Sequence, residues 1–134
     1  MTAIAVSLDP GRFLRRVLLV DAATCIATGA LLTLDSAPLS RLLGLPEVLL
    51  LYAGASLFPC AALMLWVALR ERLSHAGAWI VVASNAAWVL GSVALLVAAA
   101  PTVLGYAFVI AQAFAVALLA ELEFIGLRRS LEPA

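Results

Sequence analysis

Four apolar stretches, each about the twenty residues that cross a hydrocarbon core of about 30 Å, dominate the chain and leave it little else to fold with. They are read as helices over residues 13–34, 47–69, 77–98 and 102–127. In lipid only helices and closed barrels satisfy every backbone N–H and C=O, so runs of this length point to helices. The expectation is an all-α integral membrane protein, with residues 1–134 forming a single transmembrane domain folded as a four-helix bundle. Hydrophobic residues make up 66% of the chain and charged residues 12%, against roughly 45–50% and about 25% in a soluble domain. Little length remains for a separate catalytic domain.

The breaks between the stretches carry their own signals. Residues 35–46 open on Asp35-Ser36 and close on Gly44-Leu45-Pro46. Asp35 or Ser36 can cap a helix, Pro38 suits a first turn, and Leu39, Leu42 and Leu43 share one face, which predicts a short interfacial helix. Pro59 lies inside the second stretch, where its missing N–H and its ring predict a kink. Pro101 stands just before the fourth stretch, where an absent donor costs nothing.

Arginine sets the orientation. Arg12, Arg15 and Arg16 precede the first helix, Arg70 and Arg72 lie between the second and third, and Arg128 and Arg129 follow the fourth. Only Arg41 falls on the opposite side. This bias places both termini and the loop that carries His75 in the cytoplasm. Tyr52 and Tyr106 at the outer ends, and Trp66 and Trp79 at the inner ends, read as interface anchors. Trp88 sits mid-span and does not. The apolar run after Arg15 and Arg16 could pass for a secretory signal, but Asp21 and the lack of a small-x-small cleavage site favour a retained helix.

Polar residues inside the stretches are the candidates for function. A carboxylate at a helix centre costs about 2.5–3.5 kcal/mol on insertion scales, so it must pair, neutralise or face water. Asp21 lies about 12 Å from the inner end of its helix. Thr24, Cys25 and Thr28 follow it at helical spacing, on a face expected to point into the bundle. Asn85 and Glu121 fall at matching depth on the third and fourth helices, so Asp21, Asn85 and Glu121 form one expected intramembrane layer. There an amide could donate to a carboxylate and two acids could share a proton. Glu121 and Glu123 point about 200° apart, and Glu123 shares a face with Gln112. One of the two glutamates is expected to pair with an arginine near the inner surface.

Several chemistries find no support. Eight arginines balance eight acids, so there is no basic surface for nucleic acid. Nothing resembles Gly-x-Ser-x-Gly, His-Glu-x-x-His or a phosphate loop, so no enzyme is expected. Cys25 and Cys60 stand alone, and Asp21, Cys25 and Glu121 lack any ligand spacing, so neither metal nor cofactor is expected. His75 reads as a solvated loop residue.

Helix association in lipid relies on small residues. Ala83, Ala87 and Gly91 on the third helix, and Ala107, Ala111 and Ala115 on the fourth, recur every four residues as packing stripes. One bundle has more such faces than it needs, which points to a homo-oligomer or a larger membrane complex surrounded by lipid.

Along Leu57-Phe58-Pro59-Cys60-Ala61-Ala62, Asn85-Ala86-Ala87-Trp88, Gly105-Tyr106-Ala107-Phe108 and Ala120-Glu121-Leu122-Glu123-Phe124, the chain resembles small uncharacterised four-helix inner-membrane proteins of bacteria. The resemblance spans most of the chain and implies a bacterial cytoplasmic membrane without implying an activity. Small multidrug-resistance transporters share the length and helix count but carry an essential Glu midway along helix one, where this chain has Asp21.

Two functions follow as expectations. The first is a non-enzymatic membrane protein that works by association, as a homo-oligomer or an accessory subunit. The second is a small proton- or cation-coupled transporter or channel built on the polar layer.

Overall fold

The computed structural model describes residues 10–131, all helical apart from short connections, with no strand among the described residues. Five helices follow in order: α1 (Pro10–Leu34), α2 (Ser36–Leu43), α3 (Glu47–Leu69), α4 (His75–Ala98) and α5 (Val103–Leu131). Four of them, all but α2, are long and apolar enough to cross a membrane. The expected bundle is therefore present, with the short helix between its first two spans. The chain is a multi-pass membrane protein.

Each long helix turns a stripe of three- and four-residue spacing inward. In α3 the buried positions are Leu50, Gly54, Leu57, Ala61, Met64 and Ala68. In α1 they include Leu14, Leu18, Asp21, Cys25 and Leu32. This is the period of a left-handed bundle seam, where 3.5 residues per repeat keep one side chain row facing the neighbours. The closest packing joins α1 to α3 and α4 to α5, α1 also touches α5, and α3 touches α4 over a smaller area. The helices thus run around the bundle as α3, α1, α5, α4, with a gap left between the last and the first.

Both ends of the bundle are tied. At the end that holds Pro10 and Leu131, the Arg15 guanidinium caps the last turn of α3. Its Nη1 donates to Ala68 O at 2.8 Å and also to Arg70 O, and its Nη2 donates to Glu71 O at 2.9 Å. A cation there also meets the negative end of the helix dipole. Nearby, Arg70 lies 4.3 Å from the Trp66 ring centroid and Arg128 5.7 Å from that of Phe124, while Trp79 and Phe124 meet edge to face. Ser74 caps α4 by accepting from Gly77 N at 3.1 Å, so the helix starts early and takes in His75, which is not a loop residue as expected.

At the other end α2 lies over α3 and α5. Gly44 ends it in the left-handed region at φ 69°, which glycine adopts without a Cβ penalty. Its neighbour Leu43 accepts at its carbonyl from Thr102 N at 3.1 Å. Thr102 is the cap of α5, with Oγ1 accepting from Gly105 N at 3.0 Å and donating to Leu42 O at 2.9 Å. Gly105 allows this junction, since a Cβ there would run into Leu43 O. Asp35 precedes α2 without a side-chain capping bond.

The expected packing stripes do not hold this bundle together. Ala83, Ala87, Gly91, Ala107, Ala111 and Ala115 are all exposed within the chain, and a Cβ on Gly91 would meet nothing within 4 Å. The reason is register. Ala83 and Ala87 lie two residues past the buried Val81 and Asn85, and Ala107 two past the buried Gly105, which turns each about 200° away from the seam. Pro59 sits within α3, which continues unbroken through it, with its ring on the exposed side.

Candidate functional site

Three polar side chains meet inside the bundle, one from each of α1, α4 and α5. Asn85 Nδ2 donates to Asp21 Oδ2 at 2.7 Å and to Glu123 Oε2 at 3.0 Å. Asp21 is 1% exposed, Asn85 6% and Glu123 0%, so the cluster is closed off from the surroundings of the chain. Both hydrogens of one amide nitrogen are spent on two carboxyl groups, and Asn85 is thereby the tie between α1 and α5.

The rest of the shell is sparse. Cys25 Sγ lies 3.7 Å from Asp21 Oδ1 and 4.0 Å from Met64 Sδ on α3. Glu123 Oε1 has no hydrogen-bond partner and is buried. A buried orphan acceptor of this kind costs about 1–3 kcal/mol, more when charged, and calls for a physical cause.

Aliphatic side chains close the site toward the Arg15 end. Leu18 lies three residues before Asp21, Val81 four before Asn85 and Leu127 four after Glu123, and none is more than 1% exposed. They make an apolar layer one helical turn, about 5.4 Å, from the polar one. On the opposite side, beyond Cys25, a cavity of about 680 Å³ opens in the half of the bundle that holds α2. It fills the gap between α3 and α4, and its walls include Thr28, Leu32, Leu50, Trp88, Gly91 and Gln112. A second polar network lies on its wall. Trp88 Nε1 donates to Gln112 Oε1 at 2.6 Å, Gln112 Nε2 to Ser92 Oγ at 2.9 Å, and Ser92 Oγ to Trp88 O at 2.8 Å.

Of the expected layer, Asp21 and Asn85 come together and Glu121 does not. Glu121 is exposed, and Glu123 occupies the place assigned to it. Helix geometry decides between them. Glu123 is eighteen residues, five full turns, beyond the buried Gly105, and four before the buried Leu127. Glu121 is two residues off that line. The shared face of Glu123 and Gln112 carried this signal, which depth alone, differing by about 3 Å, could not. Nor does Glu123 take an arginine as its partner, because its carboxyl is turned inward to Asn85, while Arg128 rests on Phe124.

The threonines also part from the expected layer. Thr24 is exposed and its Oγ1 donates to Asp21 O at 2.7 Å within its own helix, while Thr28 faces the cavity. Among the described residues no group of three His, Cys, Asp or Glu side chains is placed to hold a metal ion. Compared with known proteins, the chain matches no family model, no curated protein sequence and no solved structure.

Proposed function

We propose that this chain is a small, non-enzymatic proton- or cation-coupled transporter or channel, working through the Asp21, Asn85 and Glu123 centre. The observation that carries the reading is the second carboxyl group. One amide and one acceptor suffice to tie two helices, and such a bond is worth about 0.6 kcal/mol on average in a membrane protein. A further buried acid with an unpartnered oxygen adds cost without adding packing. Ionisable groups inside a membrane that face the bundle interior mark ion pathways by default. The cavity beyond Cys25 supports the same reading, because it brings open space to within about two helical turns of the centre.

The arginine bias supports both chain ends inside, so the centre would sit in the cytoplasmic half behind the layer of Leu18, Val81 and Leu127, with the cavity opening toward the outer half. Purified full-length protein in proteoliposomes, with pH-sensitive dye inside, tests the reading. Ion flux driven by a pH gradient is expected, with loss in Asp21→Asn and in Glu123→Gln. Equal flux from all three folded proteins overturns it.

A second reading, association into a homo-oligomer or with a partner subunit, is favoured by a separate observation. The buried share of the apolar stretch falls from 39% in α1 to 17% in α4 and 11% in α5, and Ala83 of α4 with Ala107, Ala111 and Ala115 of α5 are exposed. The two readings are compatible, since a second copy could cover that face.

A further inference from the structure

We propose that the Asp21 and Glu123 pair binds one proton, carried on the Glu123 carboxyl, and that a proton rather than a metal cation is the ion of this site. The inference rests on reading the pair as the working centre, and it names what that centre takes.

The direction of the Asn85 amide carries the argument. Its nitrogen, not its oxygen, stands between the carboxyl groups at 2.7 and 3.0 Å. With no cation between the acids the reverse orientation would set three acceptors against one another. A sodium or calcium ion held by both acids would occupy the space between them and draw the amide oxygen inward, since hard cations take oxygen ligands. Among the described residues no third His, Cys, Asp or Glu side chain joins the pair to complete such a shell. The titratable groups that face the pair from the neighbouring elements are the thiols of Cys25 on α1 and Cys60 on α3.

One proton completes what is missing. Asp21 Oδ2 and Glu123 Oε2 accept from Asn85, Asp21 Oδ1 has the Cys25 thiol nearby, and Glu123 Oε1 alone has no donor. Asp21 Oδ2 and Glu123 Oε2 stand 2.7 and 3.0 Å from the same Asn85 nitrogen, so the two acids adjoin. A hydrogen on the Glu123 carboxyl removes one of two adjoining negative charges and offers the neighbouring carboxylate an O–H···O⁻ bond, the short and strong kind. Loading forms one O–H bond with a proton from water and takes the pair from two negative charges to one. Release breaks that bond and returns the proton, and no electrons move. A second proton would leave Asp21 a neutral acid facing two donors, a weaker acceptor for both.

Infrared spectroscopy of the full-length protein in lipid vesicles tests this directly. The expected result is a protonated-carboxyl C=O band that shifts down in D₂O and is absent from Glu123→Gln. If that variant does not fold, ¹³C-glutamate labelling of the unaltered protein gives the same assignment, because the band then moves with the label. Replacing choline chloride by sodium or potassium chloride should leave the unfolding temperature in detergent unchanged. No such band, or a rise in unfolding temperature with sodium or potassium, overturns the proposal. The band without flux in proteoliposomes would remove transport and keep the proton. Sodium-dependent flux without the band would remove the proton and keep transport.

Discussion

Gly29 of α1 and Gly54 of α3 lie back to back where the two helices cross. A Cβ on Gly29 would stand 2.9 Å from Gly54 O, and a Cβ on Gly54 would stand 2.8 Å from Leu32 Cβ and 3.0 Å from Gly29 O. Helices in lipid gain from contact mainly through such close approach, because lipid tails are as apolar as the side chains they would meet. Gly54→Ala is therefore expected to destabilise the bundle by about 1–3 kcal/mol, the usual range for overpacking. Gly91→Ala, with open space at its Cβ, should be neutral or stabilising by up to about 1 kcal/mol through helix propensity. Denaturant unfolding in mixed micelles compares the two. Equal losses would show that the crossing is not set by Gly54.

Asn85→Ala strips the donor from both carboxyl groups at once. Each acid left unpaired is expected to cost about 1–3 kcal/mol, so the variant should be among the least stable single substitutions in the spans. Adding Glu123→Gln should restore part of that loss, since one buried acid is then gone. The coupling in the double-mutant cycle is expected at about 0.5–3 kcal/mol. Additive losses would mean that Asn85 and Glu123 do not act together.

The architecture could be read from the sequence almost whole, and the centre only in part, for one physical reason. Long apolar runs are a one-dimensional property, and lipid permits little besides a helix for them. The α2 helix announced itself by its breakers, Asp35-Ser36 and Gly44-Leu45-Pro46. Facing is different, because in spans that are apolar all round, lipid-facing and core-facing positions look alike. Asp21 and Asn85 were found because each is the lone polar group of its kind at its depth. The choice of Glu123 over Glu121 needed the line through Gly105, Gln112 and Leu127. The small-residue stripes carried no facing for the same reason. Alanine is frequent on every face, whereas the glycines at 29, 54 and 105 mark places where backbones touch.

Arg15 joins the start of α1 to the end of α3 by three carbonyl oxygens, and their geometry needs a fork. Arg15→Lys keeps the charge near the helix end but brings one ammonium in place of two nitrogens. It should keep the dipole share, about 0.3–1 kcal/mol, and lose most of the remainder. Arg15→Ala should lose both, with hydrogen bonds to a charged group worth about 1.5–3 kcal/mol in all such contexts. Thermal unfolding of the three proteins ranks them, and a lysine variant as stable as the original would show that charge alone matters.

The layer of Leu18, Val81 and Leu127 stands between the acids and the Arg15 end, so it controls how fast the centre meets water from that side. Leu127→Ala leaves the polar contacts of Asn85 untouched and opens space directly beside Glu123. A loss of about 2–5 kcal/mol in stability is expected for removing a fully buried leucine side chain. A second effect separates a gate from mere packing. Hydrogen–deuterium exchange at the Glu123 carboxyl, followed by the infrared band in D₂O, should speed up in Leu127→Ala. It should stay as it was in Leu50→Ala, a comparable buried leucine at the α2 end of the bundle. If both variants exchange at the original rate, the route to the centre does not pass this layer. If both speed up alike, general loosening of the bundle accounts for it and the layer has no special place in access.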